Sequence, residues 1–195
     1  MKKILLLLLL ISASSALAQK VDQILVYKKE RRMLLLSNNE IVREYSIKLS
    51  YSYNNPMFTA APKSRRGDNQ TPEGEYIVKT KLSANWSNFK KSLVINYPNK
   101  VDIAKAKEQG VSVSELGDSI QIHGFPKKVN PTLKSIFGKL MPWGSDDEDL
   151  KNFFDNYIYP SFDWTNGCVA VTDEEINEIF DLVTEKTPVI IKAHE

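Results

Sequence analysis

Cys168 is the only cysteine in the 195-residue chain, and the only histidines are His123 and His194. A cysteine nucleophile works as a thiolate, and an imidazole is its usual partner as base and acid. His194 is next to last in the chain and a poor candidate for that task. His123 and Cys168 each adjoin a glycine, Gly124 and Gly167. A small residue just before the cysteine lets consecutive backbone N–H groups turn towards a developing oxyanion. The residues alone leave two bland readings open: a buried inert thiol and a histidine satisfied by structural hydrogen bonds. One cysteine excludes an intramolecular disulfide framework and a multi-cysteine metal site. No cluster with metal-ligand spacing occurs, and Asp146-Asp147-Glu148-Asp149 reads as the acidic start of a helix. Neither a metal nor a cofactor is expected.

Period-two alternation in Ser119-Ile120-Gln121-Ile122-His123 predicts a strand with Ile120 and Ile122 on one face and His123 on the other. In Cys168-Val169-Ala170-Val171 the same rule sets Cys168 and Ala170 against the two valines. Both reactive side chains therefore turn away from the apolar residues beside them. The expected consequence is one shared groove, with the side chains within or near hydrogen-bond reach of about 3–4 Å, allowing for loose geometry in the absence of substrate. A thiol pKa below the free value of about 8.5, lowered by His123, is also expected.

The other elements read from short signals. Ile24 to Tyr27, Met33 to Leu36 and Ile41 to Ile47 form a meander. A long turn-rich stretch, Asn54 to Gly74, reads as a functional loop. Glu75 to Leu82, Leu93 to Tyr97 and Pro188 to Lys192 are strand-like, and Lys100 to Gln109 is helical with Gly110 as its stop. Thr172 and Glu175 have capping-box spacing before a helix whose stripe is Ile176, Ile179, Phe180 and Val183. Between the two catalytic candidates lies an excursion, residues 125–163. It holds two predicted helices, Thr132 to Leu140 and Ser145 to Tyr159, the second capped by Ser145 and Glu148 and striped by Leu150, Phe153, Phe154 and Tyr157.

Met1-Lys2-Lys3, the apolar run Ile4 to Ile11 and the small residues ending at Ala18 predict a signal peptide over residues 1–18. The run is too short to span a bilayer, so residues 19–195 are expected to form one exported domain that does not cross a membrane. Removing Lys2 and Lys3 takes 26 basic residues to 24, against 24 acidic ones. A neutral chain lacks the basicity that nucleic-acid binding requires.

Four stretches occur in order along most of the chain. They are Arg66 to Tyr76 (RGDNQTPEGEY), Ser92 to Asn99 (SLVINYPN), Ile120 to Gly124 (IQIHG) and Asp163 to Thr172 (DWTNGCVAVT). With them the sequence resembles the L,D-transpeptidase catalytic domain, the YkuD type, in the subgroup with a Trp-Thr-x-Gly-Cys-[Val/Ile]-Ala-Val signature. The resemblance implies a mainly β, α+β fold: a curved mixed sheet or sandwich with a helical insertion, residues 125–163, between the catalytic strands. It implies Cys168 as nucleophile and His123 as proton donor and acceptor. Gly167, Asn166, Thr165 and Gly124 are then the oxyanion and substrate residues.

The implied partners are peptidoglycan stem peptides. The family attacks the carbonyl of the third stem-peptide residue, forms a thioester and passes the acyl group to an amine. Hydrolysis by the same pair, and a wall-binding module without catalysis, are the rivals. The implied location is the periplasm of a Gram-negative cell, or otherwise the wall or the medium. Asn166 replaces the histidine often found two residues before the cysteine, and Ala170 replaces the arginine or asparagine often found two residues after it. The insertion is longer than expected and has two readings, a lid able to select the acyl donor or exclude water and a packed structural subdomain with no part in the chemistry.

Overall fold

The computed structural model describes residues 20–50, 61–140 and 147–195. The expected leader 1–18, the Ser145 cap, and parts of the 54–74 loop and of the insertion lie outside these residues. Among the described residues no helix is long and apolar enough to cross a membrane.

Eight strands form one mixed sheet. They are β1 (Gln23–Tyr27), β2 (Arg32–Ser37), β3 (Glu40–Ser46), β4 (Gly74–Leu82), β5 (Ser92–Ile95), β6 (Gln121–His123), β7 (Val169–Ala170) and β8 (Pro188–Lys192), in the order β3-β2-β1-β8-β4-β5-β6-β7. The meander β1–β3 pairs antiparallel as its turns predict, whereas β1 with β8 and β6 with β7 are parallel. The long strand β4 pairs through Gly74 to Ile77 with β8 and from Val78 onward with β5, with a register shift between Val78 and Thr80. That irregularity lets one strand serve two differently oriented halves of the sheet.

The two ends of the strand order meet. Residues 47–50, just beyond β3, approach β7: Lys48 and Ala170 exchange backbone N–H···O bonds, both 2.8 Å. The Leu49 carbonyl also accepts from the N–H groups of Trp164 and Thr165, at 2.9 Å each. The sheet therefore curls on itself, and the edge that β7 would otherwise expose is covered. Inside lies one apolar core containing Ile24, Val26, Met33, Leu93, Ile122, Val169, Ile176 and Val189.

Helices α1 (Lys100–Glu108) and α5 (Asp173–Leu182) start and stop where their caps predict, and α2 (Val113–Leu116) is an extra turn. The Thr172–Glu175 capping box forms in both directions, at 3.2 and 2.8 Å. It directs the buried stripe Ile176 and Ile179 into the core.

The insertion forms α3 (Pro131–Leu140), α4 (Asp147–Phe153) and a π-helical turn, Phe154–Ile158. The wide turn corrects the predicted stripe. Tyr159 N–H donates to the Phe154 carbonyl five residues back, at 2.9 Å. One added residue per turn rotates the face, so Tyr157 is 64 % exposed and Tyr159 takes the buried place. The helices share their own apolar cluster, with Leu150, Phe154, Tyr159 and Phe125 at its centre.

An unpredicted element braces the loop after residue 60. Lys28 is fully buried. Its ammonium donates to the Ala61 carbonyl (2.6 Å), the Thr71 carbonyl (2.9 Å) and Glu73 Oε1 (3.0 Å). Burial lowers its pKa, and Glu73 works against that shift. Asp68 ties the loop tip, accepting from Lys63 Nζ and from the N–H groups of Ser64, Arg65 and Gln70. Truncating Lys28 orphans two carbonyls and a part-exposed carboxylate, so Lys28→Ala is expected to cost about 2 kcal/mol or more. Urea unfolding of this variant beside the parent checks the figure.

Candidate active site

His123 ends β6 and Cys168 immediately precedes β7. The parallel register pairs Ile122 with Val169 and His123 with Ala170. Period two then places His123, Ala170 and Cys168 on one face, as the alternation predicts, while Ile122, Val169 and Val171 enter the core. The same register sets Cys168 two residues back from the partner of His123. The pair is therefore diagonal across the two strands.

Both side chains line one groove of about 390 Å³. No hydrogen bond joins them in the resting protein. The Cys168 thiol donates to the Ser119 carbonyl at 3.7 Å. The His123 ring is buried, stacked at 3.6 Å and 10° on Phe89, with Trp164 on another side at 5.5 Å. Its Nδ1 lies 2.7 Å from the Gly124 carbonyl, which can only accept; Nδ1 therefore carries the proton and Nε2 keeps its lone pair.

Electrostatics corrects the expected low thiol pKa. Burial pushes the Cys168 thiol up to about 11; the Gln121 backbone and the Lys63 charge pull the other way without overcoming it. Burial also lowers His123 to about 4, against a weaker opposing effect of the Gly124 hydrogen bond. Desolvation is the largest influence on both groups, and each is neutral near pH 7.

The neighbouring glycines are structurally required. Gly167 has φ +111°, and a Cβ there would meet the Gln70 carbonyl oxygen at 2.6 Å. At Gly124 a Cβ would meet Asp173 Oδ1 at 2.5 Å and Ile176 Cγ2 at 2.7 Å. Asp173, at the start of α5, accepts from Phe125 N–H at 2.7 Å and so holds the chain leaving His123. Gly124 thus offers its carbonyl to His123 and its bare Cα to helix α5. The Thr165 hydroxyl braces the turn before the cysteine, donating to the Cys168 carbonyl at 2.7 Å and accepting from Gly167 N–H at 3.3 Å. Asn166 is exposed and lines the groove. Asp163 sets the entry to this turn: it takes Arg31 through Nε and Nη2 at 3.0 and 2.6 Å and Leu49 N–H at 2.8 Å.

The insertion supplies a wall. Pro126, Lys128, Asn130, Leu133 and Tyr159 line the groove, and the Tyr159 ring packs tilted against Trp164, 4.6 Å between centroids. Sequence reasoning did not single out Phe89, Ser119, Lys63 or Lys128. Phe89 and Lys128 lie in irregular segments whose closeness to His123 depends on tertiary pairing, so no periodicity marks them.

The L,D-transpeptidase catalytic domain model, YkuD, matches residues 22–191. The chain belongs to this family. Comparison with the curated proteins gives no match. Among solved structures it is similar to Bd1075 of Bdellovibrio bacteriovorus, at 22 % identity and TM-score 0.54, over 91 % of this chain and 49 % of that one. It is also similar to an L,D-transpeptidase of Xylanimonas cellulosilytica, at 12 % identity and TM-score 0.48, over 89 % of this chain and 61 % of that one. The chain thus spans about half the length of the first of these and under two thirds of the second. The first likeness agrees with the curled mixed sheet described above.

The buried histidine gives a signed pH dependence. Its folded value of about 4 lies below the ordinary 6.5, so the unfolded chain takes up the proton first. The stability due to neutral burial is complete above pH 6.5 and is lost as pH falls towards 4, by about 3 kcal/mol. Urea unfolding between pH 7 and 4 is expected to show this loss, and His123→Gln to lack that share of it.

Proposed function

We propose that this chain is an exported cysteine L,D-transpeptidase acting on peptidoglycan stem peptides. One observation carries the reading: the sole cysteine and a histidine with a free Nε2 lie on one sheet face and line one groove. Family membership supports the reaction class. The leader-like residues 1–18 support export, to the periplasm or the outer face of the wall.

The proposed reaction starts from the neutral pair. As substrate fills the groove, Cys168 Sγ leaves the Ser119 carbonyl and turns towards His123. Nε2 takes the thiol proton while Sγ attacks the carbonyl carbon of the third stem residue. The Gly124 carbonyl steadies the imidazolium through Nδ1–H. Backbone N–H groups at Gly167 and Cys168 stabilise the oxyanion, displacing the long Gly167–Thr165 bond, with Asn166 beside them. Collapse breaks the C–N bond to the next D-residue, and His123 returns the proton to the leaving amine. A thioester remains on Cys168. An acceptor amine then gives its proton to His123 and forms the new peptide bond, releasing the thiol; water in its place gives hydrolysis.

Incubation with purified tetrapeptide muropeptides tests this reading. Intact-mass spectrometry is expected to show an acyl adduct on the parent protein and none on Cys168→Ala. His123→Ala is expected to lower turnover about 10²- to 10⁴-fold. A crosslinked product identifies the amine acceptor, and a free tripeptide identifies water. A protein that binds muropeptides with neither adduct nor product is a wall-binding module, and the enzyme reading fails.

A further inference from the structure

Among the described residues the groove is lined by one lysine, Lys128. Burial keeps His123 neutral and Cys168 protonated. Among the described residues no carboxylate lines the groove. The nearby cation Lys63 is already committed, donating to Asp68 Oδ1 and the Arg65 carbonyl at 2.8 Å each. A groove of aromatic and amide walls with one cation favours an anionic group on its ligand.

Two further observations separate Lys128 from an ordinary surface lysine. The segment before it is laced to the β4–β5 connection. Lys90 N–H donates to the Phe125 carbonyl at 3.1 Å, and Lys127 N–H to the Asn88 carbonyl at 3.0 Å. Phe89 bridges to Pro126, and the Lys127 ammonium donates to the Ser87 carbonyl at 2.6 Å. Lys128 therefore emerges from a fixed rim that also carries Phe89, the ring stacked on His123. Secondly, the lysines around it are occupied. Lys127 is spent on carbonyls, Lys134 pairs with Asp147, and Lys151 pairs with Asp155. Lys128 has neither a hydrogen bond nor an ion pair among the described residues.

We propose that Lys128 reads a carboxylate of the stem peptide, anchoring the donor while Cys168 faces the carbonyl between the third residue and the next. The inference rests on reading the groove as a stem-peptide site. Two carboxylates of a tetrapeptide stand close to that bond: the terminal carboxylate of the leaving D-residue and the side-chain carboxylate of a diamino-diacid third residue. Both offer the same chemistry to an ammonium. The segment that walls the groove through Pro126, Asn130, Leu133 and Tyr159 would then also determine donor choice, through Lys128.

Binding to the Cys168→Ala protein tests this without chemistry. Three tetrapeptides are titrated by calorimetry: the free acid, its C-terminal amide and its third-residue side-chain amide. One amide is expected to bind roughly three- to tenfold more weakly than the free acid, and its identity names the carboxylate. Lys128→Met is expected to abolish that difference, Lys128→Arg to keep it, and added salt to reduce it in the parent. Lys128 is exposed, and an unchanged melting temperature in both variants confirms the fold. Three results overturn the proposal: all three peptides binding alike, a difference that survives Lys128→Met, or no binding by any of them. Acylation of the cysteine-bearing protein is scored separately. Its absence rejects the enzyme reading, while carboxylate-dependent binding through Lys128 still stands.

Discussion

The parallel pairing of β6 with β7 is the constraint on which the rest of this molecule depends. Two residues of β7 suffice to bring Cys168 and His123 to one face because the pairing is held from both sides. On one side is β6; on the other, residues 47–50 exchange backbone hydrogen bonds with Ala170 and the turn before it. So short a strand at a free edge would have little to keep it in register. Parallel strands also demand a crossover connection. The insertion is that connection, and its helices bury their apolar faces in a second cluster that reaches the groove through Tyr159 and Trp164.

Burial then determines the chemical state of the pair. The diagonal offset leaves His123 and Cys168 without a hydrogen bond between them in the resting protein. With Phe89 stacked on one side and Trp164 on another, an imidazolium is poorly solvated, and a thiolate beside the Ser119 carbonyl fares no better. The resting groove holds a protonated sulfur and a neutral base with its lone pair available. Such a pair is suited to transferring its proton only when a carbonyl carbon is in place, which also shields the sulfur from adventitious oxidation.

The turn before the cysteine is positioned by polar groups far away in sequence. Arg31 and Asp163 lie 132 residues apart and fix its entry. Lys28 and Asp68 stiffen the loop whose Gln70 carbonyl closes over Gly167. A side chain at 167 would meet that carbonyl, and one at 124 would displace α5 and the backbone that steadies His123. The two glycines are places where separate elements touch backbone to backbone.

The sequence by itself determined the local parts of this account. Strand period two set His123 and Cys168 apart from the core residues beside them. The Thr172–Glu175 box set the start of α5, and the turn residues set the meander. Such signals act over a few residues, so they survive in any fold containing them. The lone cysteine and the internal histidine marked the candidate pair, and the four ordered motifs added the family. Only the tertiary structure decided how these parts meet. It chose the β6–β7 register, and with it a diagonal pair. It also set the π turn that exchanges Tyr157 for Tyr159, the closure of the sheet by residues 47–50, and the arrival of Phe89, Lys63 and Lys128 at the groove. The physical reason is common to all of these. Register, phase and desolvation depend on groups tens to more than a hundred residues away, and a titrating group responds to its surroundings in space, not along the chain.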